Sequence, residues 1–178
     1  LFRIALSSMH SSLVVMGVAA CGKSSIAQQV AEAMGWRVIE GDEFHSDANR
    51  ERMRRGIALT DQDRAAWLAT LAEELRATPR PVVLTCSALK AAYPPQLRHA
   101  APGLRFAVLR IGPDVALQRV AARASHFFSP ALVSSQFAAL EDPSGEPGVL
   151  ALDATASPAQ LCSQLVRWIE TGQAKEIR

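Results

Sequence analysis

Short apolar runs alternate along the chain with stretches whose apolar residues recur every three or four positions. That alternation predicts a parallel α/β sheet flanked by helices. Residues 13–16 are an unbroken apolar run, which predicts a strand buried on both faces. From Lys23 the period changes. Ile26, Ala27, Val30, Ala31 and Met34 fall on one face of a helix that Gly35 ends. Further strands are predicted over 37–40, 82–85, 104–111 and 148–152, five in all. A helix over 64–76 carries the stripe Leu68, Leu71, Ala72 and Leu75, and Pro79 and Pro81 stop it. Two more are predicted over 114–123 and 130–140. The last helix has a marked start: Ser157 caps it, Pro158 suits its first turn, and Gln160 completes a capping box. Its inner face is Leu161, Leu165, Trp168 and Ile169. Residues 42–63 and 123–135 interrupt the pattern and read as segments inserted into one domain.

Composition narrows the class. A chain of 178 residues, 49% hydrophobic and 20% charged, is enough for one domain with a full core. A net charge of +2 argues against a dedicated nucleic-acid partner. The 3 cysteines, Cys21, Cys86 and Cys162, are scattered without metal-ligand spacing, which fits a reducing, cytoplasmic setting. Arg3, the apolar run and Val18-Ala19-Ala20-Cys21 together imitate a lipoprotein leader. The run is too short to span a membrane, and cleavage before Cys21 would split the motif described next. The expectation is therefore no membrane partner. Residues 1–10 read as an N-terminal extension with Met9 as a candidate start, and 11–178 as the domain.

Gly17-Val18-Ala19-Ala20-Cys21-Gly22-Lys23-Ser24 matches G-x-x-x-x-G-K-[ST], between the first strand and the first helix. The backbone N–H groups of such a loop wrap a polyphosphate, and the helix N-terminus adds positive potential. Gly22 admits close approach, Lys23 reaches the β- and γ-phosphates, and the Ser24 hydroxyl ligates Mg²⁺. Ser25 follows at the helix start. Cys21 has two readings: a small side chain on a useful backbone N–H, or a reactive thiol.

The loop alone fits a GTPase, a motor or a kinase. Glu40-Gly41-Asp42 puts two carboxylates at the carboxyl end of the second strand, on one side of it and beside the loop. Glu40 is a candidate for the metal's shell. Asp42 is a candidate for accepting or aligning the proton of an attacking hydroxyl. That pairing favours a kinase using ATP and Mg²⁺.

Asp42-Glu43-Phe44-His45, Asn49-Arg50, Met53, Gly56-Ile57-Ala58-Leu59-Thr60-Asp61-Gln62-Asp63-Arg64 and Trp67-Leu68 together resemble the gluconokinase family. So do Cys86-Ser87-Ala88-Leu89-Lys90, His126-Phe127-Phe128, Gln136-Phe137 and Leu140-Glu141. The matches run in order from the phosphate loop to about residue 143. The resemblance implies a three-layer α/β/α P-loop kinase fold, similar to shikimate and adenylate kinases. It also implies ATP-dependent phosphorylation of D-gluconate at its 6-hydroxyl, and suggests a homodimer. Gluconate is a polyhydroxylated anion, so its carboxylate needs a cation and its hydroxyls need polar partners. The candidate substrate-binding residues are Asp42, His45, Arg50, Arg54, Ser87, Lys90, His126 and Gln136. One or two of Arg50, Arg52, Arg54 and Arg55 are expected to reach ligand, with the rest on the surface. Tyr93 and the tryptophans read as packing. Arg119 and Arg123 lie four apart on one helix face and lead into the second segment. In similar kinases, arginines here close over the nucleotide and neutralise migrating charge. The competing reading is ordinary surface arginine.

Three positions depart from the family pattern. The family loop is usually richer in glycine and serine than Ala19-Ala20-Cys21. Asp usually stands where Glu40 sits, and Gly where Ser125 sits. An alanine at a positive-φ position would carry strain. Two alternatives stay open: a kinase of another hydroxy-acid such as shikimate, and a nucleotide-binding regulator without catalysis.

Overall fold

Five parallel strands build the sheet: β1 (Leu13–Met16), β2 (Arg37–Glu40), β3 (Val82–Cys86), β4 (Arg105–Arg110) and β5 (Val149–Asp153). Their order is β2-β3-β1-β4-β5. The structure is a computed structural model and describes residues 11–122 and 129–172. Seven α-helices lie among them: α1 (Lys23–Met34), α2 (Asp47–Arg54), α3 (Asp61–Ala77), α4 (Tyr93–Ala100), α5 (Pro113–Ala121), α6 (Leu132–Ala139) and α7 (Pro158–Thr171).

The alternation of side chains along β1 divides the core into two layers. Leu13 and Val15 point into one cluster with Ile26, Val30, Leu161 and Leu165, beneath α1 and α7. Val14 and Met16 point into the other with Leu68, Leu71, Leu97 and Phe106, beneath α3 and α4. All four β1 residues are fully buried, as the unbroken apolar run requires. The result is the three-layer α/β/α arrangement.

β1 pairs with β3 on one side and β4 on the other. After β1 the chain runs out to edge strand β2, and after β3 it crosses to the far side of β1. The carboxyl ends of β1 and β3 therefore flank the crevice where open α/β sheets bind ligands.

Three helices differ from the sequence pattern. α2 falls inside residues 42–63, expected to be irregular, and α3 begins at Asp61 rather than near Arg64. Both are started by local polar chemistry. The Ser46 hydroxyl accepts from the Asn49 N–H, and Thr60 and Asp63 form a reciprocal capping box. α4 has no counterpart in the apolar pattern. Its prolines lie in the first turn, where a missing N–H costs nothing. The capping box expected at Ser157 and Gln160 is present.

Candidate active site

The loop after β1 leads into a helix end that no side chain satisfies. Gly22 caps α1 with φ 100°, no side chain bonds to its first turn, and no acidic residue lies there. α2, α3 and α7 each carry a serine or threonine cap instead. The first N–H groups of α1 are thus left for an anion, where the helix dipole favours one. Lys23 Nζ folds over the loop and donates to the carbonyls of Gly17 and Val18, at 3.1 and 3.0 Å. An ammonium has three donors, so one remains for phosphate.

Gly17 is fixed by crowding. A Cβ there would lie 2.7 Å from the Leu109 carbonyl and 2.8 Å from Cys21 Sγ. The Cys21 side chain is buried against this turn, which supports its packing reading. Ala20 stands at φ 60°. That left-handed conformation costs a non-glycine residue about 1 kcal/mol or more. The strain expected from alanine in this loop is real and sits at Ala20. Val18 belongs to the core, whereas Ala19, Ala20, Gly22, Lys23, Ser24 and Ser25 line an open cleft.

Ser24 and Glu40 meet at the cleft's edge. The Ser24 hydroxyl donates to Glu40 Oε2 at 3.0 Å. Thr85, on β3, donates to the same oxygen at 2.7 Å and accepts from the Gly41 N–H at 3.1 Å. Gly41 packs so tightly that a Cβ would fall 2.1 Å from the Thr85 carbonyl. Among the described residues no three His, Cys, Asp or Glu side chains gather to hold a metal on their own. Mg²⁺ at phosphate sites takes one or two protein ligands and completes its shell with water and phosphate. The Ser24–Glu40 pair, with Asp42 nearby in the cleft, suits that chemistry.

Across the cleft lie Asp42, His45, Arg64, Trp67, Ser87 and Tyr93. The His45 ring stacks on Trp67 with centroids 4.3 Å apart, and Trp67 Nε1 donates to the Gly41 carbonyl at 2.7 Å. His45 Nδ1 is buried without a partner among the described residues. Burial pushes the imidazole down to about 4; Asp42 opposes the shift, while Arg64 and Arg50 add to it. His45 is therefore neutral near pH 7. Ser87 lies at the end of β3 beside Ala88, whose φ of 44° is a second strained alanine at the cleft. Burial drives the Cys86 thiol up to about 12, so it is inert.

Other predicted residues stand differently. Gln136 lines the cleft, and its side-chain carbonyl accepts from the Ala19 N–H at 2.6 Å. Arg119 donates to the carbonyls of Ala20 and Ala154, tying the phosphate loop to the turn after β5. Arg50 donates to the Glu43 carbonyl, and Arg54 pairs with Glu51 on the exposed side of α2. Lys90 is held 2.7 Å from Asp61, whose other oxygen takes the Tyr93 hydroxyl. Arg50, Arg54 and Lys90 do not line the cleft. Arg123 and His126 lie outside the described residues. Thr85, Arg64 and Tyr93 contribute to the site and were not expected to. No local sequence signal marked Thr85, because its partners Glu40 and Gly41 belong to β2 and the turn after it.

A family profile described as "AAA domain" matches residues 13–142. The gluconokinase of Gluconobacter oxydans is 38% identical over 158 residues, covering 87% of this chain and 89% of its own. The chain belongs to the gluconokinase family. The thermoresistant gluconokinase of Escherichia coli is 37% identical, with 81% of this chain and 85% of its own covered. Among solved structures, a gluconokinase from Sinorhizobium meliloti superposes with a TM-score of 0.81 at 42% identity, covering 90% of this chain and 94% of its own. An unliganded sugar kinase from Janibacter gives 0.86 at 38% identity, covering 90% and 95%. The five-stranded parallel sheet with its flanking helices is the α/β P-loop kinase fold of these gluconokinase relatives. Among the described residues no helix is long and apolar enough to cross a membrane.

Proposed function

We propose that the chain is an ATP-dependent gluconokinase, which moves the γ-phosphoryl group of ATP to the 6-hydroxyl of D-gluconate. The products are 6-phospho-D-gluconate and ADP. One observation carries this reading: the uncapped N-terminus of α1 and the Asp42–His45 wall open into the same cleft. Phosphate donors and a candidate base thus face one space.

The residues divide the work. The loop N–H groups and Lys23 bind the polyphosphate. Asp42 takes or aligns the proton of the attacking hydroxyl, which would otherwise be a poor nucleophile at neutral pH. His45, held neutral, offers Nδ1 as an acceptor to a substrate hydroxyl. Ser87 offers a hydroxyl from the floor. Arg119 holds the loop against the turn after β5, a positioning role. Ser24 and Glu40 would hold Mg²⁺, which when bound neutralises phosphate charge. The same reading extends to a cytoplasmic homodimer, supported by the family resemblance and the unpaired cysteines. Light scattering tests the assembly.

A panel of sugar acids in a coupled ADP assay tests the activity. Turnover of D-gluconate is expected. Turnover of shikimate without gluconate would overturn the substrate. ATP binding with no transfer to any acid would favour the regulator reading, for which the strained Ala20 is the supporting feature.

A further inference from the structure

Gluconate carries one full negative charge, yet the cations first expected to meet it are engaged elsewhere. Lys90 is paired with Asp61, Arg54 with Glu51, and Arg50 with a backbone carbonyl. Arg64 is different. It projects from the first turns of α3 into the cleft beside His45 and Tyr93. Among the described residues no carboxylate forms an ion pair with it.

The two carboxylates next to it in sequence are committed to other partners. Asp61 accepts from Lys90 and Tyr93, at 2.7 and 2.6 Å. Asp63 completes the Thr60 capping box and lies 3.6 Å from Arg52. Among the described residues Arg64 is thus left without a carboxylate in contact, and its side chain bonds to the neutral Tyr93 hydroxyl. Its charge is still felt: it helps hold Asp61 and Asp63 below the usual carboxylate range and His45 below its own.

We propose that Arg64 is the specificity-determining residue that takes the carboxylate of the sugar acid. The inference rests on the gluconokinase reading. A guanidinium matches a carboxylate through two parallel N–H···O bonds, which fixes orientation as well as affinity. Gripping the acid end would present the far end of the chain to Asp42. It would also reject neutral polyols, which leave the arginine unpaired in the cleft.

The test compares D-gluconate with D-glucitol, which has the same hydroxyl chain and no carboxylate. Gluconate binding is measured by titration in the presence of a non-hydrolysable ATP analogue. Turnover of both compounds and the KM for ATP are followed in the wild type, Arg64→Gln and Arg64→Lys. Arg64→Gln is expected to weaken gluconate by about 100-fold, as loss of a charged hydrogen-bonded partner does. Its KM for ATP should stay within about threefold, while its turnover of glucitol relative to gluconate should rise. Arg64→Lys should recover part of the affinity, because it keeps the charge but not the fork. Gluconate affinity within about threefold of wild type in Arg64→Gln would overturn the proposal, as would equal losses for gluconate and ATP. If Arg64→Gln fails to fold, Arg64→Lys decides: undiminished gluconate affinity would refute the forked contact. If wild type phosphorylates a different acid, the gluconokinase reading fails, and the same titration with that acid still judges Arg64.

Discussion

The Thr85 hydroxyl on β3 donates 2.7 Å to the carboxylate of Glu40 at the end of β2. It accepts from the Gly41 N–H at the same time, and it is buried. One side chain therefore holds both a candidate metal ligand and the turn that leads to Asp42. Thr85→Val keeps the shape and removes both bonds. Stability should fall by about 1–3 kcal/mol, since a buried N–H loses its acceptor. The KM for Mg·ATP should rise, and Thr85→Ser should restore both. Urea unfolding and magnesium titration of the initial rate check this.

Lys23 and Asp42 both line the cleft but are proposed for different tasks, so their loss should read differently. Lys23→Ala should abolish nucleotide affinity along with turnover. Asp42→Asn should lower kcat by about 100-fold or more while ATP still binds. Calorimetric titration with ATP, beside the coupled assay, separates the two. Near-normal kcat in Asp42→Asn would remove its role in handling the hydroxyl proton.

His45 sets a pH dependence of stability. Its native pKa of about 4 lies below the ordinary 6.5, so the unfolded chain binds more protons between those values. Its contribution is complete above about pH 6.5 and is lost as pH falls towards 4. Asp61, Asp63, Asp142 and Asp153 also titrate below their usual value, so they act at lower pH. Urea midpoints between pH 7 and 4.5 should fall in the wild type and fall less in His45→Phe, which keeps an aromatic ring for Trp67.

Ala20 gives a controlled test of loop strain. Replacing an exposed helical alanine by glycine costs about 1 kcal/mol, as expected for Ala33→Gly in α1. Ala20→Gly should cost nothing or stabilise, because glycine adopts its φ of 60° freely. Thermal unfolding of the two variants supplies the comparison.

The apolar pattern made the sheet and the phosphate loop legible, because both are written in local signals: the buried run of β1, then glycines and Lys23 at fixed spacing. The strained alanine was legible too, as a residue out of place in a glycine-rich loop. α2 was not, because only Asn49 and Met53 of its eight residues are buried, leaving no apolar period. The cations were legible as residue types but not as free or engaged groups. Which of Lys90 and Arg64 takes a carboxylate depends on where Asp61 points, and Asp61 is bound both by Lys90 and by Tyr93, thirty-two positions away in the chain. Thr85 was hidden for the same reason, since its partners lie on the neighbouring strand.

Two contacts on α6 lie one helical turn apart. Leu132 packs with Met53 and Leu59 of the segment beside the acceptor wall, while Gln136 holds the Ala19 N–H of the phosphate loop. A rigid helix cannot shift at one of these points without shifting at the other. One short helix thus braces both the phosphate loop and the segment that carries Met53 and Leu59, so the two walls of the cleft share a single support.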